Sequence, residues 1–330
     1  MELCVRNVNQ AYRIMMQQMH NKGLVEDTRN GPAFVFPEPV LTCYSNPTER
    51  VLWDSRRNAN PFFHLMEALW MLAGRNDVHF LELFNRNMAN YSDDSETLYG
   101  AYGYRWHYFF GINQLDTIIR ALRYNTSDRR LVLTMWSPKD LGWNSKDIPC
   151  NTQCYFRVNQ GKLEMTVTCR SNDMIWGAYG TNYVHFSFLQ EYVAAMAGLP
   201  VGRLYHFSHN FHAYTNIFSD LYHKGGEASA DLYTDIRGIF PPLVDDPYSF
   251  LDELRNALCN IEDMATGQSG LFKNNYKNQW LYNAEIMASV WLYRHELTSS
   301  AIEEELGNMS TSDWALAAKT YIARNCNVRK

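Results

Sequence analysis

The chain has 330 residues, 46% of them hydrophobic and 20% charged, with a formal net charge of -5 at pH 7. A chain of this size can bury a large core in one or two domains, and its acidic balance argues against a dedicated nucleic-acid binder, though a local arginine cluster could still hold a small phosphorylated molecule. Seven irregularly spaced cysteines do not form a secreted disulfide framework, and neither a signal peptide nor a membrane-length apolar run is legible, so a cytoplasmic protein with no membrane partner is expected.

In chain order, Val5, Val8, Ala11, Tyr12, Met15, Met16 and Met19 recur at helical spacing and predict an amphipathic helix over 5–22. Thr28-Arg29-Asn30-Gly31-Pro32 is turn chemistry, and 33–36 and 40–44 read as short strands. Pro61 suits the first position of a helix whose apolar face runs through Phe62, Leu65, Met66, Leu69 and Trp70 to Gly74. Further helices are expected over 77–89 and 114–123.

From 131 the pattern turns to strands. Residues 131–136 are strand-like, and 155–158 and 163–169 flank Asn159-Gln160-Gly161-Lys162 as a hairpin. A helix fits 184–197, ending at Gly198, and 204–207 reads as another strand. The last hundred residues are expected to be mostly helical, broken at Pro241-Pro242 and Asp245-Asp246-Pro247. With no clean linker, the expected layout is a catalytic domain over 1–216 with a helical C-terminal extension over 217–330 packed on it.

Cys150, in Ile148-Pro149-Cys150-Asn151-Thr152, sits just before a strand. A lone cysteine is usually a small core residue, but arginines gather at nearby strand ends. Asp128-Arg129-Arg130 closes a helix-to-strand loop, and Arg170-Ser171-Asn172-Asp173 ends the hairpin's second strand. Guanidinium forks and a hydroxyl suit a phosphate. A metal site is not expected, because Cys150 and Cys154 lack a second ligand pair.

The order of motifs resembles the thymidylate synthase and deoxycytidylate hydroxymethylase superfamily. The motifs are Met66-Glu67-Ala68-Leu69-Trp70, Tyr102-Gly103-Tyr104-Arg105-Trp106, Asp128-Arg129-Arg130, Pro149-Cys150, Arg170-Ser171-Asn172-Asp173, Trp176-Gly177, Asn182 and His212-Ala213-Tyr214. The resemblance runs from about Arg29 to Asn216 and implies an α/β fold of that type, a mixed sheet with surrounding helices, in a homodimer with shared active sites.

It also implies roles. Cys150 would add to C6 of a pyrimidine deoxynucleoside monophosphate, making C5 nucleophilic toward the carbon of methylenetetrahydrofolate. Glu67 and Tyr102 would assist proton transfers, with Asn151 beside the nucleophile. Arg170, Ser171 and Arg29 would hold the phosphate, Arg129 and Arg130 would come from the partner subunit, and His212 and Tyr214 would bind the sugar. Asp173, Trp176, Gly177 and Met88 would line the folate site.

Asn182 would read the base: an amide accepts from uracil N3–H and donates to O4, whereas the deoxycytidylate branch has aspartate here. The segment before it is one residue longer than the usual family spacing, so an ungapped alignment would place Thr181 there instead. Two departures concern the reaction: Asn151 stands where most thymidylate synthases have histidine, and 87–92 lacks the tryptophan that helps hydride transfer. Both favour capture of the exocyclic methylene by water, giving 5-hydroxymethyl-dUMP. The alternatives are a thymidylate synthase making dTMP, a dCMP hydroxymethylase or a non-catalytic nucleotide-binding relative. Hypermodified pyrimidines suggest a bacteriophage by family analogy.

Overall fold

A computed structural model describes residues 1–224, 231–234, 241–268 and 277–326. In chain order its elements are β1 (Glu2–Val5), α1 (Val8–Lys22), β2 (Leu24–Thr28), β3 (Gly31–Val35), β4 (Val40–Tyr44), α2 (Pro61–Leu72), α3 (Val78–Glu82), α4 (Tyr102–Tyr104), α5 (Gln114–Tyr124) and β5 (Val132–Thr134). Then come β6 (Asn151–Asn159), β7 (Lys162–Asp173), α6 (Asn182–Ala197), β8 (Val201–Tyr214), α7 (Thr215–His223), α8 (Phe250–Ala265), α9 (Gln279–Leu292), α10 (Ser299–Gly307) and α11 (Ser312–Asn325).

The chain divides into two compact units that interleave along the sequence. The first comprises Met1–Ala59, Arg105–Trp143 and Ile148–Leu232; the second comprises Asn60–Tyr104, Asn144–Asp147 and Tyr233–Lys330. Residues 60–104 therefore group with the C-terminal helices.

The first unit is built on one mixed sheet in the order β1-β4-β8-β7-β6-β5, with the β2–β3 hairpin joined to β8 through β3. The β1–β4 and β7–β8 pairs are parallel and the others antiparallel. The β6–β7 hairpin turns through Gln160 and Gly161, both at positive φ (50° and 75°), as a two-residue turn matching strand twist requires. Helix α6 is buried along most of its length and packs on β7 and β8. It stops at Gly198, whose left-handed φ of 72° costs little without a Cβ.

Several sequence boundaries shift. Residues 2–5 are extended and pair with β4, so the first helix begins only at Val8, where Asn7 accepts from the amides of Asn9 and Gln10. The exposed strand β2 carries no burial alternation and is invisible to periodicity. The helix expected over 77–89 stops at Glu82, and a 3-10 turn, Arg86–Tyr91, follows. The strand expected at 204–207 spans 14 residues, because β8 pairs with β3 and β4 along one edge and β7 along the other.

In the second unit α2 starts at Pro61 under an Asn60 cap and is buried except at Glu67. Helix α9 packs against α2, α8 and α10, and α11 against α2 and α10. The described part of the last hundred residues is mainly helical; 235–240, 269–276 and 327–330 lie outside the described residues.

Candidate active site

Strand direction gathers the chemistry of the first unit at one end of the sheet. Because β6 and β7 are antiparallel, the start of β6 lies beside the end of β7, with Asn151 opposite Cys169. Because β7 and β8 are parallel, Ser171 and Asp173 sit opposite Asn210 and His212.

Cys150 is half-buried one residue ahead of β6, with its Sγ 3.9 Å from the carbonyl of Ile148. The Arg170 amide donates to the Cys150 carbonyl at 2.9 Å, and its guanidinium donates to the carbonyls of Pro149 and Ile148. It also lies 5.6 Å from the Trp136 ring centre. The arginine is solvent-exposed, so hydrogen bonds to backbone hold it in place while leaving it open to an anion. Ser171 is half-buried on the next position.

Behind Cys150 lies a buried polar web. Asn151 donates through Nδ2 to Oδ1 of Asn182 at 3.1 Å, and Asn182 donates through Nδ2 to Oδ1 of Asn172 at 3.1 Å. Asn172 donates to the Ser208 hydroxyl at 2.9 Å, and its Nδ2 also lies 3.2 Å from Nε2 of His206. That nitrogen is 3.2 Å from Oδ1 of Asn151. Burial lowers the His206 pKa from 6.5 to about 4, so the ring is neutral at physiological pH.

The segment ahead of Asn182, Met174–Thr181, is π-helical and kinks at Tyr179 and Gly180. Thr181 turns its hydroxyl onto the Trp176 carbonyl, and Asn182 is the side chain that enters the web. A Cβ at Gly177 would lie 2.7 Å from Oδ1 of Asn172 and 3.0 Å from Nδ2 of Asn182, so only glycine lets the backbone approach this amide pair.

Asp173 caps the π segment, its Oδ1 accepting from the amides of Ile175 and Trp176, while its Oδ2 is buried without a hydrogen-bond partner. Burial pushes this carboxyl up. Beside it the Trp176 ring is half-exposed, with the Arg57 guanidinium 4.1 Å from its centre. His212 and Tyr214 project from the same side of β8, their rings 5.6 Å apart. Tyr214 accepts from Asn30, which brings the β2–β3 turn and its exposed Arg29 to this end of the sheet. Arg129 and Arg130 are exposed ahead of β5, and Arg130 is held by Asp128 of its own chain.

Glu67, Met88 and Tyr102 belong to the second unit. There Glu67 is half-buried on α2, and Met88 lies in the 3-10 turn. Tyr102 opens α4, held against α2 by Gly103, where a Cβ would lie 2.0 Å from the Met71 carbonyl. Among the described residues no group of three or more His, Cys, Asp or Glu could hold a metal ion, and no helix is long and apolar enough to cross a membrane.

In the sequence Asn172 stands out only as part of a motif, without a role, and His206, Ser208 and Arg57 do not stand out. A signal existed for two of them: His206 and Ser208 lie at i and i+2, with Leu204, on the buried face of β8. Buried polar groups need partners, but that face emerges only once the strand extends past Phe207.

Residues 10–226 match the family model for thymidylate synthase. The chain is 42% identical to the deoxyuridylate hydroxymethyltransferase of Pseudomonas phage M6, over 97% of this chain and 93% of that protein. It is 34% identical to the deoxyuridylate hydroxymethyltransferase of Bacillus phage SP01, over 53% of this chain and 49% of that protein. To the thymidylate synthase of Varicella-zoster virus (strain Dumas) it is 29% identical, over 54% of this chain and 63% of that protein.

Proposed function

The chain belongs to the thymidylate synthase family, and from that footing we propose that it hydroxymethylates deoxyuridine monophosphate at C5. It is an enzyme of one-carbon transfer with the mixed sheet and flanking helices of that family. The observation that carries the reading is that Asn151, the residue directly after Cys150, is hydrogen-bonded to Asn182. The nucleophile and the amide suited to the base edge are thus neighbours in one rigid web.

C5 of uracil is too weak a nucleophile to attack a one-carbon donor unaided. Addition of the Cys150 thiolate at C6 turns C5 into an enolate carbon, splitting one hard step into easier ones. Asn182 keeps a lone pair on Oδ1 for N3–H and a hydrogen on Nδ2 for O4. Arg170, Ser171 and Arg29 hold the phosphate, with Arg129 and Arg130 supplied by the partner of a homodimer, and His212 and Tyr214 bind the sugar. For Glu67 and Tyr102 the proton-transfer roles rest on the motif resemblance alone.

The buried, unpartnered Oδ2 of Asp173 fits an N–H donor of a pterin, and the half-exposed Trp176 beside Gly177 offers a flat apolar surface. Asp173, Trp176 and Gly177 would hold methylenetetrahydrofolate, which supplies the transferred carbon and leaves as tetrahydrofolate, while a folate role for Met88 rests on the motif resemblance alone. Loss of the C5 proton leaves an exocyclic methylene on the nucleotide. Addition of water there and expulsion of the Cys150 thiolate complete 5-hydroxymethyl-dUMP. The two phage relatives named deoxyuridylate hydroxymethyltransferase support capture by water. The similarity to a viral thymidylate synthase keeps dTMP as the second reading.

Incubation with 5-tritiated dUMP and the folate distinguishes the two. Hydroxymethylation releases tritium without the absorbance rise of dihydrofolate, and the product is about 16 mass units, one oxygen, heavier than dTMP. Tritium release matched one-for-one by dihydrofolate, with dTMP as product, would establish the second reading.

A further inference from the structure

Arg57, in the first unit, is only 7% exposed, yet its guanidinium lies 4.1 Å from the centre of a Trp176 ring that is 49% exposed. An arginine so much more buried than the indole it stacks on lies on the protein side of the ring. The other ring face is the one left to solvent. In the same pose Nε of Arg57 donates to the Ile175 carbonyl at 3.0 Å. The peptide joining Ile175 to Trp176 is therefore pinned at both ends, its carbonyl by Arg57 and its N–H by Asp173.

The support extends behind the arginine. Asp54 accepts from the amides of Arg56 and Arg57 and pairs with the Arg56 guanidinium at 2.6 Å, which fixes the main chain at this point. A Cβ at Gly180 would lie 3.0 Å from the Ile175 carbonyl oxygen, so the glycine at the kink leaves that oxygen the room its bond to Arg57 uses. A guanidinium can lie flat on an indole while donating in its own plane, which an ammonium cannot do. A ring already held in place loses little freedom when a ligand stacks on it. We propose that Arg57 is a positioning residue for the folate: it locks the Trp176 indole and its peptide so that the outer ring face stands ready for a flat ring of methylenetetrahydrofolate. Because Asp173 holds the same peptide, the indole and the unpartnered Oδ2 of that carboxyl keep a fixed relation. The proposal rests on the reading of Asp173 and Trp176 as the folate site.

The test is a double-mutant cycle on Arg57→Leu and Trp176→Ala. Its readout is the KM for methylenetetrahydrofolate at saturating dUMP, with the calorimetric affinity for dUMP alone as control. Arg57→Leu should raise the folate KM roughly tenfold and leave the dUMP affinity unchanged. Trp176→Ala should raise it at least as much, and combining the two should add less than about twofold, since no ring is left to hold. Equal losses from Arg57→Leu in both backgrounds would overturn the proposal, because the arginine would then act without the indole. An unchanged folate KM in Arg57→Leu, or a matching loss of dUMP affinity, would also overturn it, while a raised KM in Trp176→Ala still upheld the folate site. An unchanged KM in Trp176→Ala would remove the folate reading at this indole and the proposal with it. Should Arg57→Leu fail to fold, Arg57→Lys carries the same cycle, because it keeps the charge but not the flat fork.

Discussion

The Nε of Arg170 donates to the carbonyl of Pro149 at 2.9 Å, which ties the end of β7 to the peptide immediately ahead of Cys150. The thiol is thereby placed by backbone on both sides, at Arg170 and at the start of β6. Cys154 and Cys169, the nearest alternatives on these strands, are buried, and burial pushes both thiols up. Cys150→Ser should still bind dUMP but lose turnover by at least about 10³-fold, since a neutral hydroxyl is a far weaker nucleophile than a thiolate. With 5-fluoro-dUMP and folate the wild type should gain the mass of a ternary adduct, and peptide mapping should place it on Cys150. An adduct on Cys154 or Cys169 would refute the assignment.

Arg130 is largely exposed and paired with Asp128 at the edge of its own chain, free of the web behind Cys150. If it serves a partner's site, Arg130→Ala and Cys150→Ser should each be nearly inactive alone. Mixing and refolding equal amounts should restore up to about a quarter of the sites, because each heterodimer then carries one intact site. Heterodimers confirmed by mass but devoid of activity would place the arginine's action within its own subunit.

His206 gives the fold a pH dependence whose sign is fixed. Its ordinary value is 6.5, and burial lowers it to about 4 in the folded chain. Between those values the unfolded chain binds the extra proton, so this histidine's contribution is intact above 6.5 and is lost as pH falls toward 4. The linked loss is on the order of 3 kcal/mol. Urea unfolding at pH 7, 6, 5 and 4.5 should show stability falling with acidification, and His206→Leu should flatten the slope. A slope unaffected by that substitution would assign the acid sensitivity elsewhere.

Arg105 and Asp140 form an ion pair with neither side chain exposed, at 2.8 and 3.2 Å through both carboxylate oxygens. Arg105 also donates to the Met135 carbonyl, and Asp140 accepts from the Ser137 amide. Removing one member of such a pair leaves an uncompensated buried charge. Asp140→Ala should lower unfolding stability by about 3–5 kcal/mol, measured by urea denaturation. A loss under about 1 kcal/mol would mean that water reaches the abandoned guanidinium.

The sequence by itself determined the features that depend on neighbours along the chain. Pro61 after Asn60, Gly198 after the α6 stripe and Gln160-Gly161 between two alternating runs set their boundaries through capping and turn geometry, which need no distant partner. The order of short motifs around Cys150, Arg170 and His212 likewise carried the family and the expected chemistry. Tertiary structure alone decided what long-range pairing controls. Strand β8 runs to Tyr214 because β3, β4 and β7 satisfy its backbone on both edges, and only that extension turns His206 and Ser208 inward beside Asn172. The surroundings of Thr181 and Asn182 were equally out of reach, because residue counting cannot see the π segment that turns the Thr181 hydroxyl onto the Trp176 carbonyl and the Asn182 amide onto Asn172. The grouping of residues 60–104 with the C-terminal helices came from helix faces burying one another across about two hundred residues of chain, a contact that local periodicity does not encode.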